Sequence, residues 1–235
     1  MDCLQTTLSE NNTRILRMVK EMRSADTFQI IKDTGIVVVL RGLTETETVH
    51  TVEALYNGGI RAIEVTFNTP GAASIIEKIN KEFKDRIIVG AGTVLSTEQA
   101  AMAMASGAEF VLAPNVDLDV IRLVKQYGKL MVPGAFTPTE VLACYKAGAD
   151  MVKVFPVSSV GPNYIKDLKG PYDHMDLMPV GGVTIKNAKA FMEAGSVAVG
   201  VGSSLSPKDL ITAGKYDEIT QIAKAFMAEV AAGRK

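Results

Sequence analysis

The sequence is poor in the side chains on which many catalytic and scaffolding schemes depend. Its two cysteines, Cys3 and Cys144, cannot build a disulfide framework, and no CxxC or CxxH spacing offers a structural zinc site. A reducing compartment is expected. Only two histidines, His50 and His174, are present, and both stand apart from the residues that carry recognisable chemistry. That weighs against a Ser-His-Asp triad or a multi-histidine metal centre, and no metal is expected. The 25 basic and 26 acidic residues leave a net charge of −1 with no long run of either sign, so the electrostatic footprint of a nucleic-acid or acidic-membrane binder is missing. No apolar run approaches the roughly 18 residues of a membrane span. The start MDCLQTTLSENNTRIL lacks the basic-then-apolar order of a secretory leader. A cytoplasmic protein with small-molecule partners is expected, its chemistry resting on Lys, Glu and backbone amides.

At 47% apolar and 22% charged residues, the chain has the composition of a globular protein with a real core. Eight short β-branched runs recur from residue 36 onward: IVVVL (36–40), AIEVT (62–66), RIIVG (86–90), EFVLA (109–113), KLMVP (129–133), DMVKV (150–154), DLMPV (176–180) and VAVGV (197–201). Helix start signals stand between them. Thr44 with Glu47, Ser96 with Gln99, and Thr137 with Glu140 read as capping boxes, the last with Pro138 at the first turn. Gly58, Gly107, Gly128, Gly148 and Gly195 occupy the positions of helix C-terminal glycines. Strict βα alternation implies parallel strands, and eight units imply a closed (β/α)8 barrel; a doubly wound open sheet is the other architecture compatible with the pattern. The spacing predicts one domain over 1–235: a helical extension over 1–34, a barrel over 35–205 and a C-terminal helix over 206–235. Ile15, Leu16, Val19 and Met22 at helical spacing predict that the extension packs across the barrel's bottom. Ile219, Ile222, Ala223, Phe226, Met227 and Val230 form the buried stripe of the last helix.

Gly59, Gly107, Gly148 and Gly195 each introduce an even-numbered run, a weak repeat of βαβα units. Five residues beyond each glycine stand Glu64, Leu112, Lys153 and Gly200, which should share one level of the barrel interior. The second and sixth strands of such a barrel oppose each other, so Glu64 and Lys153 should face one another over space left open by Gly200. A lysine at a strand end can snorkel to water, and a glutamate can serve a buried structural ion pair. A parallel barrel strand, however, has no solvent face at its middle. Burial there lowers a lysine pKa and raises a glutamate pKa, the conditions for a nucleophilic amine and a proton shuttle near neutrality.

Loops after the seventh and eighth runs carry Val180-Gly181-Gly182 and Gly200-Val201-Gly202-Ser203. They are tight turns or, as recurs in barrels, a phosphate site built from backbone N–H groups of Gly181, Gly182, Gly202 and Ser203. Gly90-Ala91-Gly92-Thr93 adds a hydroxyl at the same end, Arg41 adds a fork suited to an anion, and Phe155 shares the parity of Lys153.

The order IEVTFNTP, VGAGTV, LAPN, VPGAFTPTE, VKVFP, GPNYIK, VGGV and AVGVGSSL resembles the class I aldolases acting on 2-keto-3-deoxy-6-phosphogluconate and 4-hydroxy-2-oxoglutarate, including the phosphogalactonate branch. The resemblance runs collinearly from about residue 36 to 205. It implies a cofactor-free Schiff base on Lys153, proton transfer by Glu64, pyruvate carboxylate held by Thr93, a pocket shaped by Pro114 and Phe155, a keto-acid phosphate substrate, and a homotrimer. Many such enzymes carry arginine where this chain has Asn68, and threonine where it has Val180; together with Arg41 these departures resemble the phosphogalactonate branch, and they point to Val180 as a stereoselectivity position. Readings that would spare Lys153 are a phosphosugar isomerase or thiamin-phosphate-type barrel and a non-catalytic phospho-ligand sensor.

Overall fold

The computed structural model describes residues 26–234. A helix over 26–34 (α1) is followed by β1 (Ile36–Leu40), α2 (Glu45–Asn57), β2 (Ala62–Thr66), α3 (Ala72–Phe83), β3 (Ile88–Gly92), α4 (Thr97–Ala105), β4 (Phe110–Leu112), α5 (Leu118–Gln126), β5 (Leu130–Val132), β6 (Gly134–Ala135), α6 (Pro138–Lys146), β7 (Val152–Val154), α7 (Gly161–Lys169), β8 (Leu177–Pro179), α8 (Ala188–Glu193), β9 (Val199–Val201), α9 (Lys208–Thr212) and α10 (Tyr216–Ala232). All strand pairs are parallel. They fall into two arcs, β5-β4-β3-β2-β1-β9 and β6-β7-β8. Pro133, which has no N–H for the ladder, separates β5 from β6 within the fifth stave of the barrel. A parallel bridge from Val180 to Gly200 joins β8 to β9 and closes the ring.

Two apolar layers follow from the alternation. Inward residues Val37, Ala62, Phe110, Leu112, Leu130, Val132, Met151, Met178, Val180 and Ala198 form one buried cluster. Outward residues such as Ile36, Val38, Ile63, Val65, Val89, Val111, Val152 and Val199 pack with the helices. Glu64 and Lys153 have the inward parity. Ile31 and Phe28 of α1 belong to the inner cluster, so this helix packs against the barrel interior. The stripe Ile15, Leu16, Val19 and Met22 lies outside the described residues.

The caps at Thr44 and Thr137 are full capping boxes. At Ser96 the box is displaced: its hydroxyl accepts from Gln99 N–H, but Gln99 Oε1 accepts from Leu95 N–H at 2.7 Å. After α2 the left-handed position falls on Gly59 (φ 101°), whereas Gly58 is αR. Gly58 is needed for space, since a Cβ there would lie 2.3 Å from Ala223 Cβ. The segment expected to hold one C-terminal helix holds two, α9 and α10, the latter burying Ile219, Ala223, Phe226 and Val230. No helix among the described residues is long and apolar enough to cross a membrane.

Candidate active site

Lys153 sits at the middle of β7, where its N–H donates to Pro133 O (2.9 Å) and its residue is only 4% exposed. Its Nζ lies 4.9 Å from the centroid of the Phe155 ring. Burial pushes the Lys153 pKa down; Glu64 opposes this, and the positive charge of Arg41 reinforces it. Glu64, at the middle of β2, is 1% exposed, and among the described residues its Oε2 has no hydrogen-bond partner. Burial pushes its pKa up, while Lys153 and Arg41 pull it back. Desolvation thus moves both groups toward their neutral forms, an amine with a free electron pair and an acid with a proton to give.

Space for the carboxylate comes from Gly92, where a Cβ would lie 2.4 Å from Glu64 Oε2. The φ of Gly92 is not positive, so the requirement for glycine here is steric. The adjoining Thr93 does adopt φ 54°, a strained conformation for a β-branched residue. Its Oγ1 accepts from Arg41 Nη2 at 3.4 Å. The open space expected at Gly200 is taken by Val180, whose two γ carbons lie 2.6 and 3.1 Å from where a Gly200 Cβ would be. The sequence could not show that the inward valine of the neighbouring strand would wedge there.

Pro114 is half-buried above β4, and Gly134 makes room for its backbone: a Cβ at Gly134 would approach Pro114 C to 2.3 Å. Asn68 is exposed on the turn after β2, and its side chain makes no hydrogen bond among the described residues. Beyond β8, Gly181 and Gly182 take φ of 81° and 96°. A Cβ on Gly182 would come within 2.7 Å of Ser158 Cα, so the loop after β7 abuts the loop after β8. Asn187 braces this turn, accepting from Thr184 N–H (2.7 Å) and donating to Gly182 O (3.0 Å). Ser158 and Asn187 were not singled out from sequence; the only signal for either was its place in a loop at the C-terminal end of a strand. Beyond β9, Leu205 and Ser206 N–H donate to Gly202 O, forming a single helical turn with Ser203 exposed. The N–H groups of Gly182, Ser203 and Ser204 donate to no protein acceptor among the described residues. Such loops can receive an anion on backbone amides.

The remaining candidates for chemistry lie elsewhere. Cys144 is buried with its thiol pushed up to about 12, chiefly by desolvation. His50 packs on Tyr216, and His174 on Tyr145. Among the described residues no group of three or more His, Cys, Asp or Glu side chains could hold a metal ion.

A family model described as KDPG and KHG aldolase matches residues 28–222. The chain belongs to the KDPG and KHG aldolase family. It is 37% identical over 195 residues to the 2-dehydro-3-deoxy-6-phosphogalactonate aldolase of Escherichia coli K12, spanning 82% of this chain and 92% of the relative. It is 32% identical over 198 residues to a 2-dehydro-3-deoxy-phosphogluconate aldolase of Treponema pallidum, spanning 84% and 94%. Among solved structures, a KDPG aldolase from Legionella pneumophila superposes with a TM-score of 0.80 at 25% identity, covering 85% of this chain and 97% of that one. That enzyme was captured with pyruvate as a covalent carbinolamine intermediate. Like these relatives, the chain is a TIM-barrel aldolase of the lyase class.

Proposed function

We propose that this family member is a class I aldolase cleaving 2-keto-3-deoxy-6-phosphogluconate or its galactonate epimer to pyruvate and glyceraldehyde 3-phosphate. The observation that carries the proposal is a lysine and a glutamate, 4% and 1% exposed, both inward in one closed barrel with their charged forms disfavoured. Neutral Lys153 adds to C2 of the keto acid. Protonated Glu64 gives its proton to the carbinolamine hydroxyl, which leaves as water and yields the iminium. Glu64 carboxylate then takes the C4 hydroxyl proton as C3–C4 breaks; the bond's electrons pass to the iminium, leaving an enamine and releasing the aldehyde. Protonation of C3 and hydrolysis return the amine and release pyruvate. No cofactor enters the scheme. Arg41 and Thr93 are assigned to the carboxylate end, Pro114, Phe155 and Asn68 to the pocket wall. 4-Hydroxy-2-oxoglutarate, yielding glyoxylate, is a second substrate under the same scheme. Its test is pyruvate release from each of the three keto acids; no release from any would overturn the reading.

Phosphate is assigned to the amides around Gly181, Gly182, Gly202 and Ser203, and the structure chooses the residue with which to test this. Gly182 is a poor probe, since any side chain there meets Ser158 and a strained φ. Gly202 is a good one: its φ is not positive, and among the described residues the only atom within 4 Å of its Cβ position is Val39 Cβ at 3.9 Å. Gly202→Val should therefore fold normally yet intrude on the phosphate. KM for the phosphorylated substrate is expected to rise by at least about tenfold, with little change for 4-hydroxy-2-oxoglutarate. Equal changes for both substrates would remove the phosphate from this loop.

Val180 is proposed to leave C4 stereochemistry loosely specified, because valine offers no hydrogen bond to a C4 oxygen. Wild-type kcat/KM for the two epimers is expected to agree within about tenfold. The isosteric Val180→Thr should shift the ratio by about 1–2 kcal/mol. A strong wild-type preference for the gluconate form, or no shift on adding threonine, would move the selectivity to Asn68 or Arg41. A homotrimer in the cytoplasm completes the proposal. Exposed Leu95, Met102 and Leu118, on or beside the adjoining α4 and α5, supply apolar surface that an assembly would cover, and light scattering measures the mass.

A further inference from the structure

Arg41 reaches the site through Thr93, whose Oγ1 accepts from its Nη2 and which follows Gly92, the residue that leaves room for the Glu64 carboxylate; its charge also bears on both Glu64 and Lys153. Its side chain is nevertheless exposed, its hydrogen bond to Thr93 is long at 3.4 Å, and the residue after it, Gly42, takes φ 65° with no atom within 4 Å of a Cβ. Packing anchors this loop at Leu43, which is 6% exposed in the core, and a hydrogen bond fixes the backbone nearer Arg41. The loop's backbone is held from the side by the turn after β2. Gly42 N–H donates to Thr69 Oγ1 at 2.9 Å, and Thr69 Oγ1 lies 3.1 Å from Thr66 Oγ1, with Thr69 4% and Thr66 0% exposed. The turn is itself fixed: Thr69 N–H donates to Thr66 O (2.8 Å), and Phe67 N–H donates to Gly92 O (2.7 Å), next to Thr93. Three loops are thereby tied together around Arg41. Among the described residues no hydrogen bond links Thr69 to Glu64 or Lys153, and its buried hydroxyl is spent on a neighbouring loop's amide.

We propose that Thr69 is a positioning residue: through its hydrogen bond to Gly42 it holds the Arg41 guanidinium against Thr93, beside the Gly92 notch that houses the Glu64 carboxylate, and so sets the site's grip on the keto-acid carboxylate. The role in carboxylate binding rests on the aldolase reading above; the placement of Arg41 against Thr93 does not. Thr69→Val keeps the shape and removes the hydroxyl, leaving Gly42 N–H without its acceptor and the arginine free to turn into solvent.

Two readouts separate these claims. The first needs no substrate: the pH dependence of reductive methylation of Lys153 by formaldehyde and cyanoborohydride, followed by peptide mass. Glu64 and Arg41 are the charged groups acting on this amine. With the guanidinium displaced, the Lys153 profile in Thr69→Val should move to higher pH, in the same direction as in Arg41→Ala. Thr69→Ser should match wild type, and Thr69→Val should add no shift on the Arg41→Ala background. The second is steady-state cleavage, where Thr69→Val should raise KM roughly two- to tenfold, the equivalent of one net hydrogen bond, with kcat nearly unchanged. A lowered melting temperature with wild-type Lys153 profile and KM would make Thr69 merely structural and overturn the proposal. So would equal shifts with and without Arg41. A shifted Lys153 profile in a protein that cleaves none of the keto acids would uphold the positioning and overturn the aldolase reading instead.

Discussion

Lys153→Ala is expected to lower keto-acid cleavage by roughly 10⁴-fold or more, to the level of the uncatalysed background, because no other group can take over formation of a covalent iminium. The shape-matched Lys153→Met separates chemistry from folding. Lys153 is 4% exposed and makes no salt bridge among the described residues, so an apolar side chain of similar length should leave the barrel at least as stable. The sign with pH follows from the lowered pKa. Between its folded-state pKa and the ordinary value of 10.5 the unfolded chain holds the lysine proton more tightly, so wild-type stability climbs with pH through that window. The advantage of Lys153→Met is therefore largest at lower pH and shrinks as pH approaches the ordinary lysine range. Calorimetric melting of the two proteins across pH measures it. Residual cleavage near the wild-type rate in Lys153→Ala would dismiss the lysine from the mechanism.

Glu64→Gln should cut turnover by roughly 10² to 10⁴ while the fold persists, since the amide keeps the volume that Gly92 accommodates but cannot move a proton. The same variant should slow exchange of the pyruvate methyl protons with deuterated solvent, a half-reaction that needs proton transfer at C3 without any bond cleavage. Loss of both activities with an unchanged melting profile places Glu64 in the chemistry. Near-normal turnover would leave it a structural carboxylate, for which its unpartnered Oε2 gives no evident purpose.

Periodicity made the barrel legible, and the reason is visible in the strands. β1 and β2 coincide with the runs IVVVL and AIEVT because both are flanked by turn glycines and a cap. β3 begins two residues later than its run, since the short 3-10 turn Lys84–Arg86 takes up the start of RIIVG. The candidate pair was legible for a different reason: two charged residues stand at inward positions of strands with no wet face. Less visible were features that depend on what lies across space. The wedge of Val180 into the Gly200 notch, the room that Gly92 gives Glu64, and the contact of Gly182 with Ser158 are all glycine vacancies filled by residues remote in sequence. A glycine in a sequence says that a Cβ is absent, but only the fold says which atom uses the space. The Thr69 link between two loops was hidden likewise, because a threonine before a proline reads as an ordinary turn residue.

Borohydride reduction in the presence of pyruvate shows whether Lys153 forms an iminium with the keto acid. The expected result is a stable mass increase of one reduced pyruvyl group per chain, confined to the peptide containing Lys153 and abolished in Lys153→Ala. A protein that stays unmodified, or one labelled at another lysine, would contradict it.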